Sequence, residues 1–282
     1  MSLTDRLRSA RYGLGLMVSE RLGRARGARP ERPAGSLTGA DLAAPARARI
    51  ARLASRYGVA FETRYGAPTA LENYARLELL DASLDAFGIT APVGRVVHDV
   101  GCASFWYAAA LQAAFRPAAL TGFELEGYRR LRGGVNRAER ALGYVRDLPG
   151  TAFEIADYAT VTRPAGLVTA FFPFVTRAPV LAWRLPLAVL APDALLGRIR
   201  ANLEPGGEFW MVNHGEREAA IAADVALRVG LAPCGVYVDR EPLLPRPEPA
   251  VVSRWTPGAG EGRGALSAAP AGRRRPRASP RP

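Results

Sequence analysis

From about residue 94 onward, short apolar runs alternate with longer amphipathic stretches. Apolar runs of this length are typical of buried strands, and the stretches between them have helical periodicity. Such alternation predicts an α/β fold, with a mostly parallel sheet between layers of helices and a ligand at the carboxyl ends of the strands. The predicted strands are 95–100, 119–124, 152–156, 166–171, 207–212 and two near 234–238 and 250–254, and the predicted helices are 104–115, 127–143, 192–203 and 215–229.

The first 93 residues have a helical pattern without strands. Leu3, Leu7, Leu14, Val18 and Leu22 are spaced as in a helix, and arginines lie between them. This predicts a basic amphipathic helix that packs on the main domain, with attachment to an anionic membrane surface as the alternative. Further on, the pattern predicts a Gly- and Pro-rich linker over 27–35 and helices over 39–56 and 68–88.

The far end of the chain lacks apolar periodicity. Residues 257–282 are rich in Pro, Gly, Ala and Arg, a composition typical of a disordered tail. The predicted organisation is a basic helix and linker over 1–35, a helical extension or cap over 36–93, the sheet domain over 94–256 and the tail over 257–282.

Positive charge is concentrated at the two ends. The formal charge is +12, from 38 basic residues, all of them Arg, and 26 acidic ones. Residues 1–50 and 256–282 carry +6 and +5, whereas 51–255 carry only +1. This excludes a basic face for a phosphate backbone on the sheet domain, so nucleic acid is expected to interact only through the ends.

Cysteine and histidine usage limits the chemistry further. Cys102 and Cys234 form neither a disulfide framework nor zinc-finger spacing, and two histidines cannot make a His-rich metal site. We therefore expect no metal, and a cytoplasmic protein. The longest apolar run near the N-terminus, 14–18, is too short for a membrane span.

The clearest chemical signal lies at the end of the first predicted strand. The strand ends at Asp99, and Gly101 then opens a tight turn that lets backbone N–H groups approach a ligand. The next strand ends at Glu124, where a carboxylate can accept hydrogen bonds from both ribose hydroxyls. The alternatives are a helix-cap neighbour for Asp99 and a solvated loop acid for Glu124, with Glu126 as a competitor.

At these residues the chain resembles the class I S-adenosylmethionine-dependent methyltransferases, over about 94–255. The family's first motif is an acid followed by a G-x-G-x-G turn, and here it reads DVGCASF over 99–105. Gly101 matches, whereas Ala103 and Phe105 occupy the other two glycine positions. Phe105 is either accommodated at the start of the helix or narrows the pocket. The LEPGG segment over 203–207 is similar to the family's L-x-P-G-G turn into the fifth strand.

The resemblance implies a Rossmann-like three-layer sandwich, a seven-stranded sheet and S-adenosyl-L-methionine as cofactor. Asp99 would support the methionine end of the cofactor and Glu124 would bind its ribose. Asp157, at the end of the third strand, would accept a hydrogen bond from the adenine amino group, with Tyr158 near the ring; a turn-forming role is the alternative for Asp157. The implied cofactor-binding residues are Asp99, Gly101, Cys102, Ala103, Glu124, Asp157 and Tyr158.

A long apolar connection follows the fourth predicted strand, over 172–191. Phe172, Phe174 and Trp183 predict a hydrophobic lid or substrate wall for a greasy or planar acceptor, with simple packing as the alternative. Phe171 stands where methyltransferases of exocyclic amines carry a polar residue, which argues against adenine-amine chemistry. No catalytic dyad is recognisable, and His214 after the fifth strand is the candidate base.

The leading hypothesis is a methyltransferase for a small-molecule or hydrophobic acceptor. One alternative is an RNA or protein methyltransferase that uses the Arg-rich ends. Another is a catalytically inactive, methyltransferase-like binding module, motivated by Ala103 and Phe105. The sequence gives no indication of the oligomeric state.

Overall fold

The structure is a computed structural model that describes residues 3–38, 42–131 and 133–258. Seven of its segments are strands, each bounded by turns or helices. They are β1 (Val96–Val100), β2 (Ala119–Glu124), β3 (Thr151–Ile155), β4 (Ala165–Phe171), β5 (Leu203–His214), β6 (Leu231–Asp239) and β7 (Ala250–Pro257).

These strands form one sheet in the order β3-β2-β1-β4-β5-β7-β6. Strands β1 to β5 pair in parallel, whereas β7 runs antiparallel to both β5 and β6. The predicted mostly parallel, seven-stranded sheet is therefore confirmed. Because the order reverses between β1 and β4, their carboxyl ends border the crevice where open α/β sheets bind ligands.

Eight helices flank or precede the sheet in the described residues, which confirms the Rossmann-like three-layer sandwich with helices before it. One face is covered by buried side chains such as Leu77, Leu111 and Ala141, and the other by Ile199 and Ala226. Both faces are thus shielded from water, as parallel sheets require. The helices are α1 (Leu3–Leu22), α2 (Ala44–Tyr57), α3 (Ala67–Phe87), α4 (Ala108–Phe115), α5 (Arg137–Val145), α6 (Arg177–Ala182), α7 (Pro192–Asn202) and α8 (Gly215–Arg228).

The predicted helix over 127–143 is wrong for its first part. Gly133 and Gly134 have φ angles of +89° and +79°, a left-handed conformation that interrupts a helix. α5 begins only after Asn136, whose side chain accepts a hydrogen bond from the Glu139 backbone N–H while the Glu139 side chain accepts one from Asn136. The helix predicted from residue 104 likewise begins later, at Ala108.

The structure has the helices predicted for the N-terminal part of the chain, but their first and last residues differ from the predicted ones. α1 ends at Leu22, and α2 begins at Ala44 with a proline in its first turn. Residues 39–41, included in the predicted second helix, lie outside the described residues. So does nearly all of the predicted tail, of which Pro257 belongs to β7. No helix of the described segments has both the length and the apolar content to cross a bilayer.

Candidate functional site

The turn after β1 has a glycine-like backbone at three positions. Gly101, Ala103 and Phe105 have φ angles of +72°, +52° and +54°. The left-handed region costs a non-glycine residue about 1–2 kcal/mol. The backbone N–H groups of Gly101 and Cys102 both donate to the Phe123 carbonyl, at 2.9 and 3.1 Å, which ties the turn to β2. The turn therefore has the left-handed backbone typical of a glycine-rich turn, although Ala103 and Phe105 occupy two of its three left-handed positions.

Phe105 lies inside the core. Its ring is fully buried and contacts the Tyr107 ring edge-on, with centroids 5.8 Å apart. Gly122 on β2 makes room for it, since a Cβ there would lie 2.6 Å from the ring and 2.9 Å from Cys102 Sγ. The ring is therefore accommodated in the core, although Phe105 lies in the turn three residues before α4 and not at the start of the helix as predicted. Burial also raises the pKa of the Cys102 thiol, so Cys102 fills space as a neutral group.

Asp99 is fully buried at the end of β1. It accepts hydrogen bonds from the Tyr107 hydroxyl at 2.6 Å and the Thr169 hydroxyl at 2.5 Å. Burial raises the pKa of Asp99 to about 7, although both hydrogen bonds favour the charged form. The carboxyl group therefore fixes Tyr107 and Thr169 beneath the turn.

Glu124 connects the end of β2 to the turn. It accepts hydrogen bonds from the backbone N–H groups of Ala103 and Glu126, each at 2.8 Å, and from Arg137 Nη1 at 3.1 Å. Glu126 instead contacts only arginines with its side chain, at 3.2 Å to Arg137 and 2.7 Å to Arg129. The structure thus distinguishes the two acids, because Glu124 alone is bonded to the turn.

Asp157 and Tyr158, which follow β3 after Ala156, point in different directions. Asp157 is exposed, and its Oδ1 accepts a hydrogen bond from the Ala159 backbone N–H at 3.0 Å, as a turn-forming residue does. Tyr158 is buried, and its ring packs against Phe123 with its hydroxyl 3.0 Å from His98 Nδ1. Of these two residues, only Asp157 is exposed where a ligand at the ends of the strands could reach it.

The three predicted rim residues lie in two separate ring pairs, one of which includes the candidate base His214. The Phe172 ring stacks on the His214 imidazole, with centroids 3.8 Å apart and planes 10° from parallel. Phe174 contacts Trp183 edge-on at 5.9 Å, and Trp183 lies under the Arg137 guanidinium at 5.0 Å. The first pair is at the β4 and β5 ends, and the second covers the cation that binds Glu124.

Arg76 on α3 is a functional candidate that the sequence did not reveal. It is only 5% exposed, and its guanidinium lies 4.1 Å from the Phe171 ring centroid and 4.8 Å from that of Tyr107. Its Nη1 atom is buried and has no hydrogen-bond partner among the described residues. Burial lowers the pKa of Arg76 to about 10. A buried cation with an unused donor is a place for an anion.

These groups share one edge, where β1, β2, β4 and β5 end beside the reversal of strand order. The strand order β3-β2-β1-β4-β5-β7-β6, in which β7 runs antiparallel to both of its neighbours, is the arrangement that defines the class I methyltransferase fold. The chain has the class I methyltransferase fold.

No family model matches the chain, and no curated protein does either. Among solved structures, it is similar to a TehB-like SAM-dependent methyltransferase from Corynebacterium glutamicum, with 17% identity, 75% of this chain and 99% of that chain covered, and a TM-score of 0.43. It is also similar to a SAM-dependent methyltransferase from Aquifex aeolicus, with 13% identity, 64% and 92% covered, and a TM-score of 0.46. The fold assignment rests on strand order and direction, not on these similarities.

In this class I methyltransferase fold, two neighbours on β1, His98 and Asp99, make the free energy of unfolding depend on pH in opposite directions. Burial raises the Asp99 pKa to about 7, so its stabilising contribution is complete below the unfolded pKa of about 4 and is lost as the pH rises toward 7. Burial lowers the His98 pKa to about 4, so its contribution is complete above about pH 6.5 and is lost as the pH falls toward 4.

We therefore expect Asp99→Asn to gain stability relative to the wild type as the pH rises from about 4.5 to 7.5. The gain should be at least about 1.4 kcal/mol, the value of one pKa unit. Urea unfolding at several pH values measures it. His98→Gln is the matched control. Its free energy of unfolding should rise relative to that of the wild type as the pH falls over the same range. Parallel pH profiles for Asp99→Asn and the wild type would contradict the assignment.

Proposed function

We propose that the protein is an S-adenosylmethionine-dependent methyltransferase. The observation that carries this proposal is the turn after β1, where Ala103 and Phe105 retain left-handed φ angles of +52° and +54°. Strained backbone of this kind persists where the surrounding structure holds it, and it is concentrated at ligand sites.

The residues at the edge fit the cofactor group by group. The Nη1 atom of Arg76, which has no hydrogen-bond partner among the described residues, suits the carboxylate of the methionine portion. Glu124 suits the ribose hydroxyls, and Asp157, exposed at the end of β3, suits the adenine amino group. The Asp99 carboxyl would act indirectly, through Tyr107 and Thr169.

The cofactor would supply a methyl group bonded to a positively charged sulfur. The chain's part is to hold the acceptor in line with that methyl group and to exclude water. The segment 172–191 would do both, since Phe172 presents a flat face at the strand ends. Burial, together with Arg246, lowers the His214 pKa, so at neutral pH the imidazole is uncharged and able to accept a proton from the acceptor.

The proposal is tested by calorimetric titration with S-adenosylhomocysteine. We expect micromolar binding, about −8 kcal/mol, for the wild type. Glu124→Gln should bind about tenfold or more weakly, because a charged acceptor of ribose hydrogen bonds is lost. Glu126→Gln is the matched control, two residues away and on the same Arg137, and should bind as the wild type does.

Absence of binding to the wild type would overturn the proposed activity and favour the inactive binding module. The acceptor is proposed to be a small or hydrophobic molecule, and the support for this is the stacked pair of Phe172 and His214. If the acceptor were instead RNA or protein held by the Arg-rich C-terminal end, deletion of 259–282 would abolish methylation of it. Methylation unchanged by that deletion would exclude this alternative.

A further inference from the structure

The N-terminal helix α1 faces the domain with its polar side. The half-buried residues are mainly small or polar, and they recur every three or four positions. The contacts are specific: the Leu187 backbone N–H donates to Ser9 Oγ at 2.8 Å, and a Cβ at Gly13 would lie 3.6 Å from Pro186. The half-buried positions of α1 are Asp5, Ser9, Tyr12, Gly13, Leu16 and Ser19.

The large aliphatic side chains of α1 other than Leu16 therefore point away from the domain. Leu3, Leu7, Leu14 and Leu22 are 72%, 65%, 59% and 76% exposed, and no residue of the helix is buried. At about 100° per residue, these leucines together with Met17 and Val18 fall in one stripe about 140° wide. We call these six residues the apolar stripe. A row of exposed apolar side chains of this kind is typical of an interaction site.

The charges of α1 are distributed around the apolar stripe by sign. Arg11 and Arg21 lie within the span of the stripe and Arg6 about 90° from its centre, whereas Asp5 and Glu20 lie about 130° or more away. All three arginines are exposed. A surface that meets the stripe would therefore also meet positive charge and little negative charge.

We propose that α1 binds the protein to an anionic lipid surface through the apolar stripe. An interfacial helix of this kind places its apolar side chains at the acyl boundary and its arginines at the headgroups. Charge complementarity favours lipid over a second copy of this chain, because two such helices face to face would bring six arginines together. The inference does not depend on the proposed methyl transfer.

The contacts of α1 give this attachment a defined orientation. The helix packs on α6 and on the 187–189 turn, both part of the connection that follows β4. That connection also carries Trp183, whose ring lies under the Arg137 guanidinium. The attached protein would thus have the covering segment of the candidate site close to the bilayer.

The test is co-sedimentation of the full-length protein with two kinds of vesicle, phosphatidylcholine alone and phosphatidylcholine mixed with phosphatidylglycerol. We expect the wild type to bind only the anionic vesicles, and less at high salt. Leu7→Gln with Leu14→Gln should lower the partition coefficient by about tenfold or more, since both side chains are exposed and their loss leaves the fold intact. Arg6→Gln with Arg21→Gln should lower it as well.

The matched control is Leu227→Gln with Val236→Gln, because these residues are 54% and 62% exposed on other elements. It should bind as the wild type does. The Arg-rich C-terminal end is present in every variant, so unchanged binding of the Leu7/Leu14 variant would assign attachment to that end and overturn the proposal. Failure of the wild type to bind anionic vesicles would also overturn it. A dimer by light scattering, dissociated by the Leu7/Leu14 substitutions without any vesicle binding, would identify a second copy as the partner instead.

Discussion

Arg76→Met is expected to abolish most S-adenosylhomocysteine binding while leaving the free protein as stable as the wild type or more stable. The guanidinium is buried, and Nη1 has no partner among the described residues, so the free protein bears a desolvation cost that binding of an anion would relieve. Met fills a similar volume without charge. We expect affinity to fall about 100-fold, and the free energy of unfolding to stay equal or rise by about 1 kcal/mol.

Two comparisons make this expectation specific to a carboxylate. Methylthioadenosine lacks the amino-acid portion of S-adenosylhomocysteine, so its affinity should be the same for Arg76→Met and the wild type. Arg56 is the control arginine, because it also lies beside an aromatic ring, that of Tyr57, but it is exposed and lies 2.9 Å from the buried carboxylate of Asp81. Arg56→Met should lose stability by about 1 kcal/mol and bind normally.

Calorimetry and urea unfolding on the same samples give both quantities. Equal binding of S-adenosylhomocysteine by Arg76→Met and the wild type would remove Arg76 from the proposed site. A large loss of stability would show instead that the cation has a carboxylate partner that supports the fold.

The sheet could be predicted because its strands have local signals. The segment 119–124 carries the apolar Leu120 and Phe123 and lies between Pro117 and Gly127, and β2 spans the same residues. Helical stretches between such strands permit few arrangements, since parallel crossovers are right-handed. The carboxyl ends of β1 and β2 must then meet at one edge, which is why Asp99 and Glu124 could be placed together from their positions alone.

The start of α5 could not be predicted in the same way. Helical periodicity runs through 127–143, and a single sequence does not show that Gly133 and Gly134 interrupt it. The contact that fixes the start is distant, because the Asn136 side chain donates to the Arg24 carbonyl at 2.9 Å. Tertiary contacts of this kind decide where a marginal helix begins.

The candidate site was predictable only where its residues follow strands. Arg76 belongs to a helix that carries no motif, and Glu78, two residues further along the same helix, pairs with Arg49 on α2. Which charge of α3 enters the core depends on how the helix packs. The packing of Tyr158 could not be predicted for the same reason, because its position next to Asp157 in the sequence does not determine which way its ring turns.

Phe105 and Gly122 are expected to be strongly coupled in stability. Phe105→Ala removes a fully buried ring and should cost about 3–5 kcal/mol. Gly122→Ala places a Cβ 2.6 Å from that ring and 2.9 Å from Cys102 Sγ, and this overpacking should cost about 1–3 kcal/mol. In the double variant the added methyl group enters the space that the ring has left.

The double variant should therefore be more stable than the sum of the single changes allows, by about 1–3 kcal/mol. Urea unfolding of the four proteins measures this coupling energy. Gly166→Ala is the matched control on β4, because its Cβ would lie 3.0 Å from atoms of the flexible Arg95 side chain and should add independently to Phe105→Ala. Additive costs for Phe105 and Gly122 would mean that the ring does not rest on β2, and that the turn owes its left-handed backbone to something other than this contact.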